Sequence, residues 1–162
     1  MRNIEIFKAI SALVMADLYA HFPLKQDISP SELALNLGDE LWDKSLKQDS
    51  GHPNVYERQR QFSPAALARP TIEWLANAGL ISYSSYQNSK FKDVALTLKG
   101  LESIEAHSTR GKRLINASKN LLVDSAKDAA KEQLTKIAGE MFKWCVKEGP
   151  QLIHLVQNYG QQ

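Results

Sequence analysis

The chain reads as a mainly α protein with a small β-hairpin, and three observations carry that reading. Apolar residues recur at three-to-four spacing through most of the 162 residues, which places them on one side of successive helices. Between Gly79 and Leu98 the period drops to two, as a half-buried strand pair requires. Helix punctuation flanks these stretches: Ser29-Pro30 and Ser63-Pro64 are cap-and-first-turn pairs, while Gly38 and Gly79 stand where helices stop.

In chain order, Ile6, Phe7, Ile10, Leu13, Val14, Leu18 and Phe22 form one stripe, and Pro23 stops it, so a helix spans about Asn3 to His21. Ser29 caps a short second helix with Glu32 at capping-box spacing and Gly38 at its end. From Asp39 to Gln61 the pattern weakens, and Asp49-Ser50-Gly51-His52-Pro53-Asn54 is dense in turn formers. Ser63-Pro64 opens a third helix with Ala68, Ile72, Leu75 and Ala76 on one face, reaching Ala78; Pro70 either kinks it or marks a fresh start near Arg69 to Thr71. Ile81, Tyr83 and Ser85, a polar tip at Gln87-Asn88-Ser89-Lys90, then Val94, Leu96 and Leu98 make the hairpin.

Thr97 caps a fourth helix, Leu98 to about Ala106, with Leu98, Leu101 and Ile104 inward. After a break at His107 to Gly111, the positions Ile115, Leu122, Ala126, Ala130, Leu134, Ile137, Met141 and Cys145 hold helical spacing, with acids preceding bases on the opposite face. One continuous helix from Lys112 to Glu148 would run about 55 Å, so a bend or two helices are equally open. Gly149-Pro150 is expected to end this tract, and Leu152, Ile153, Leu155, Val156 and Tyr159 form a last apolar stretch.

Composition narrows function more than it names it. At 43% hydrophobic and 23% charged, with 20 Lys and Arg against 18 Asp and Glu, the chain has a net charge of +2 and suits a folded domain rather than a charge-driven tail. The total hides a division: residues 1–49 hold 5 bases and 8 acids, residues 50–100 hold 6 and 3. The single Cys145 excludes an internal disulfide. Glu5, Lys8 and Asp17 interrupt the first helix, and no stretch is long and apolar enough to span a bilayer, so a cytoplasmic location is expected. His21, His52, His107 and His154 lack metal-ligand spacing, and neither a phosphate-cradling glycine loop nor a nucleophile elbow occurs. No enzyme, no cofactor, no metal and no identifiable small-molecule ligand are therefore expected.

The stretch Ile72-Glu73-Trp74-Leu75-Ala76-Asn77-Ala78-Gly79-Leu80-Ile81, followed by Leu96-Thr97-Leu98-Lys99-Gly100-Leu101, resembles a signature of many bacterial winged helix-turn-helix regulators. There the glycine turns the chain out of the third helix into the first wing strand, and the threonine caps the helix after the wing. The whole is also similar to uncharacterised bacterial winged-helix proteins with an alanine-rich helical C-terminal tail. The resemblance covers about residues 3–106, with one departure: about 25 residues separate Leu37 from Ser63, where such proteins carry a tight turn. It implies a winged-helix-like domain at 1–107 with an insertion at about 39–61, and a helical C-terminal region at 108–162.

A winged-helix regulator is expected to bind double-stranded DNA. Arg58, Arg60 and Arg69 before or within the third helix, with Lys90 and Lys92 near the hairpin tip, are the candidate phosphate contacts. The alternative is a winged helix used as a protein–protein interaction module. Tyr83, Tyr86 and Phe91 near the tip suit cross-strand pairing before base stacking. In the tail, Leu134, Ile137, Met141, Trp144 and Cys145 are the candidate homodimer contacts, the preferred reading over packing back on the winged domain or lying on a membrane surface, against which the mixed charges argue.

Overall fold

The computed structural model describes residues 2–38 and 63–160, with side chains over 3–38 and 63–148. It is mainly helical with a small antiparallel sheet. Helix α1 (Arg2–His21) is followed by strand β1 (Gln26–Ile28) and helix α2 (Pro30–Leu37). Helix α3 (Pro64–Asn77) leads into β2 (Ile81–Ser82), β3 (Ser85–Gln87) and β4 (Lys90–Leu96). Then come α4 (Leu98–Glu105), α5 (Arg110–Asn120), a 3₁₀ turn (Asp124–Ala126) and α6 (Lys127–Gly160).

Helix α1 is the spine. Beyond the expected stripe it also buries Ala9, Ser11, Ala12, Met15 and Ala16, because α3 packs on it from one side and α5 and α6 from another. A helix covered nearly all round must be apolar nearly all round, and small residues let its neighbours approach. The one buried hydroxyl, on Ser11, donates to the Phe7 carbonyl at 2.8 Å and so is not left unsatisfied. Phe22 departs from the expected stripe and is exposed, since it lies beyond the last helical turn.

The caps form as their residues dictate. Ser29 Oγ accepts the Glu32 N–H and Ser63 Oγ the Ala66 N–H, each ahead of a proline in the first turn. Helix α3 runs on through Pro70 without restarting. Pro70 and Ala66 both face solvent there, so the carbonyl that loses its helical donor is open to water. At its end Gly79, at φ +79°, closes a Schellman turn in which Leu80 N–H donates to Leu75 O and Gly79 N–H to Ala76 O, with Leu75 and Leu80 both buried.

The sheet has the order β1-β4-β2, with β3 also on β4. β4 is central: Ile81 faces Leu96, Tyr86 faces Phe91, and Gln26 and Ile28 of β1 face Val94 and Phe91 across an irregular register. The hairpin tip is tighter than the sequence suggests. Asn88 and Ser89 both adopt positive φ, the two-residue turn that matches strand twist, and Gln87 pairs with Lys90. Asp93, also at positive φ, shifts the alternation so that Phe91, Val94 and Leu96 all point inward. Leu98 drops out of the strand pattern, becomes the first residue of α4 and is exposed.

The expected long tract is two helices. Leu121 to Ala126 forms the break, and it resets the helical phase: Leu114, Ala117 and Leu121 are buried before it, whereas Leu122, read as an inward position, is 71% exposed. The backbone of α6 remains helical through Gly149 and Pro150 to Gly160, in place of the expected stop. A proline removes one helical donor and displaces one carbonyl, which bends a helix without obliging it to end. α5 is tied to its neighbours by polar contacts: Arg110, 8% exposed, donates from Nη1 to Ser103 O at 2.6 Å, and Arg113 pairs with Glu140 at 2.9 Å. A single hydrophobic cluster joins α1, the sheet, α3, α5 and α6.

Two glycines in helices test this packing with opposite signs. A Cβ on Gly100 would lie 2.0 Å from the Leu80 carbonyl oxygen, which is backbone and cannot step aside, whereas one on Gly139 would meet nothing nearer than Lys8 Nζ at 3.7 Å. Gly100→Ala is expected to destabilise by about 3 kcal/mol or more. Gly139→Ala is expected to stabilise by up to about 1 kcal/mol through helix propensity alone. Urea unfolding of both variants beside the parent reads the two signs directly.

Candidate functional site: the outer face of helix α3 and the hairpin

Helix α3 buries Ala68, Thr71, Ile72 and Leu75 and turns Ala65, Ala66, Arg69, Pro70, Trp74 and Asn77 outward. The hairpin stands beside it, joined by Arg69, whose guanidinium lies 4.0 Å from the centre of the Tyr86 ring. A cation over an aromatic face is attractive by about 0.5–1 kcal/mol at such an exposed position. Tyr86 and Tyr83 in turn pack on the buried Phe91 with ring centres 4.7 and 4.8 Å away. These aromatics thus make cross-strand pairs, with Tyr86 also serving as the seat for Arg69.

Of the expected phosphate contacts, Arg58 and Arg60 lie outside the described residues. Arg69 Nε is 3.0 Å from Glu73 Oε1, one helical turn on. Lys92 Nζ is 3.2 Å from Asp27 Oδ2 on β1. Lys90 sits exposed at the hairpin tip, near enough to Asp27 to favour its ionised form. Arg69 therefore meets Glu73, while on β4 Lys90 and Lys92 have Asp27 and Asp93 for neighbours. Three cations meet three carboxylates. Asp93 is itself held by Ser84, whose hydroxyl donates to Oδ2 at 2.8 Å.

Asp27 is the residue that sequence reasoning overlooked. Its Oδ1 accepts the Asp93 N–H at 3.2 Å while Oδ2 takes the Lys92 ammonium. The backbone hydrogen bond first, and Lys92 second, hold its carboxyl below the ordinary value of 3.8. β1 was equally illegible: three residues with only Ile28 buried are too few to show a period, and their partner strand is 65 residues away.

Beside α3 an apolar groove of about 380 Å³ runs between the N-terminal turns of α1 and the outer edge of α3, lined by Ile4, Phe7, Leu67, Pro70, Thr71 and Trp74. Trp74 stays 48% exposed although its ring meets Phe7 edge-on at 5.0 Å and Phe142 of α6 at 5.7 Å. Phe142 had no place in the expected stripe; it stands next to Met141 and stacks on Phe7 with ring centres 5.5 Å apart.

The expected homodimer contacts are redirected. Leu134 and Ile137 at 0% and Met141 at 1% exposure are packed in the common core within the chain, so their apolar area is already spent on it. Trp144 and Cys145 are half-buried, and burial pushes the Cys145 thiol above its ordinary value. Among the described residues there is no group of three or more side chains able to hold a metal ion, and no helix long and apolar enough to cross a membrane. Comparison with protein-family models, with curated proteins and with solved structures finds no match to this chain.

The lowered pKa of Asp27 sets a sign. A carboxylate held below 3.8 in the folded state adds stability that is present above pH 3.8 and is lost as pH falls through the folded-state value. Asp27→Asn is therefore less stable than the parent at pH 7, and the gap closes as the solution is acidified below 3.8. Urea unfolding at stepped pH measures it; a gap that does not change with pH would show that Asp27 acts through shape rather than charge.

Proposed function

We propose that this chain is a winged-helix protein whose α3–hairpin face works as a protein-interaction surface and not as a reader of duplex DNA. The helix–strand–helix–helix–hairpin order, with β1 paired to the returning strand β4, supports the winged-helix part of the reading. One observation carries the rest: the outward positions of α3 are Ala65, Ala66, Arg69, Pro70, Trp74 and Asn77, and its only outward cation is paired with Glu73.

A helix that reads the major groove needs side chains that donate to and accept from base edges, and neighbours that neutralise phosphates. On this helix Arg69, Glu73 and Asn77 carry the exposed side chains that can hydrogen-bond a base edge, and Arg69 and Glu73 are paired with each other. Among the described residues around it the cations and carboxylates balance, so these would release few counterions from DNA, and that release drives most non-specific affinity. Exposed Trp and Arg beside small apolar residues are instead the composition enriched at protein interfaces and at their energetic centres. The unpaired Cys145 fits a cytoplasmic setting for such a partner.

Duplex DNA is the second reading, favoured by Lys90 at the exposed hairpin tip and by Lys92 two residues on in β4. Exposed ion pairs are worth about 0–1 kcal/mol, so a phosphate has only a small barrier to displacing Glu73 or Asp27. Fluorescence anisotropy with a mixed-sequence duplex at about 50 mM and about 200 mM salt separates the two. The expected outcome is binding weaker than about 10 μM at both. Submicromolar binding that falls steeply with salt, and that is lost in an Arg69→Glu, Lys90→Glu double variant, would overturn the proposal in favour of a DNA-binding regulator.

A further inference from the structure

Toward the C-terminal end of α1, away from the groove described above, a second cleft of about 340 Å³ opens between α1, the β1–α2 connection and α5. Its floor is apolar: Leu13 and Val14 of α1, Ile28, Leu33 of α2, Ile115 of α5 and Leu121 just after it line it. Its volume is in the range of clefts that hold small organic ligands, and such sites pair an apolar lining with a few placed polar groups.

The polar groups here are mostly of one sign. Asp17, Asp27 and Glu32 line the cleft against the single ammonium of Lys119. Asp27 is committed to Lys92, and Asp17 lies 3.5 Å from His21 Nδ1. Glu32, in the first turn of α2, uses its backbone N–H on Ser29, and among the described residues no ion pair engages its carboxylate. Asp17 is partly desolvated, and that burial pushes its carboxyl above the ordinary 3.8. A carboxylate that has given up part of its hydration gains more from a cation than a fully wet one does.

We infer that this cleft binds a small ligand bearing a protonated amine on an apolar body, with the amine at Glu32 and Asp17 and the body on the Leu13–Ile28–Ile115–Leu121 floor. Charge complementarity selects the sign. With Asp27 taken by Lys92 and Asp17 beside His21, Glu32 is the carboxylate left to an incoming cation, and an anionic ligand would meet it with only Lys119 among the described lining residues to offset it. The inference does not depend on the function proposed for the α3–hairpin face, with which the cleft shares Asp27.

Titration of the full-length ¹⁵N-labelled protein with 2-phenylethylamine and with tryptamine, each beside its matched alcohol and carboxylic acid, tests it. The expected result is saturable amide shifts at residues 13–17, 28–36 and 115–122 with the amines. Binding of the alcohols and acids should be at least about tenfold weaker, a difference of about 1.4 kcal/mol. The Asp17→Asn, Glu32→Gln double variant should weaken amine binding about tenfold or more while leaving the remaining spectrum in place. Ser118→Phe, which narrows the cleft without removing a charge, should block the amines as well. Acids binding as well as amines, shifts that spread over the surface without saturating, or no shift at these residues up to about 10 mM amine would each overturn the inference.

Discussion

The joint between the end of α3 and the start of α4 is the constraint on which the rest of the architecture hangs. Four contacts meet there. Thr97 N–H donates to Leu80 O, the Thr97 hydroxyl donates to Gly79 O and accepts from Gly100 N–H, and Lys99 Nζ reaches Ala78 O at 2.9 Å. Each of these takes up a backbone group that a helix terminus leaves orphaned. The Leu80 carbonyl lies so close to Gly100 that no side chain fits between them. Both ends of the hairpin are pinned within a few residues, and β4 is thereby placed at the centre of the sheet with Phe91 and Val94 under α1.

From this joint the surface chemistry follows. Because β4 is central, β1 must add to its free edge, and that pairing carries Asp27 to Lys92 and to the Asp93 N–H. Because the hairpin stands against α3, Tyr86 lies under Arg69 and fixes the guanidinium where Glu73 can also reach it. The compensation of charge on this face is thus a product of the fold. Each pair contributes little energy at the surface, yet together they decide how the face presents itself to a polyanion. The same basic residues, counted along the chain, make the middle third look like a nucleic-acid surface.

The tail shows how packing redirects an amphipathic stripe. A stripe of Leu134, Ile137 and Met141 is compatible with any apolar partner, and a second copy, a membrane surface and the chain's own core present the same kind of face. The core takes it here, because α1 is apolar nearly all round and has a side that α3 leaves uncovered. The buried Arg110, bonded to the α4 carbonyl of Ser103, holds α5 to α4, and the Tyr19–Glu105 hydrogen bond holds α4 to α1, so the tail helices continue the same core.

Most of the fold was legible in the sequence, for a local reason. The caps at Ser29, Ser63 and Thr97, the stops at Gly38 and Gly79, and the period change after Gly79 depend on neighbours within about five residues. Helix existence and the hairpin were therefore settled by the chain alone. The outcome at Pro70 and at Gly149-Pro150, the phase on either side of residue 122 and the strand at Gln26–Ile28 were not, since each depends on a surface supplied from elsewhere in the chain. The candidate site divides in the same way. Arg69, Lys90 and Lys92 are visible as basic residues in any reading of the sequence, and Glu73 is the i,i+4 neighbour of Arg69 on one helix, but Asp27 and Tyr86 become partners only through folding. Charge along a chain adds up without geometry, whereas the field a partner meets depends on distances of 3–4 Å that only the tertiary structure creates.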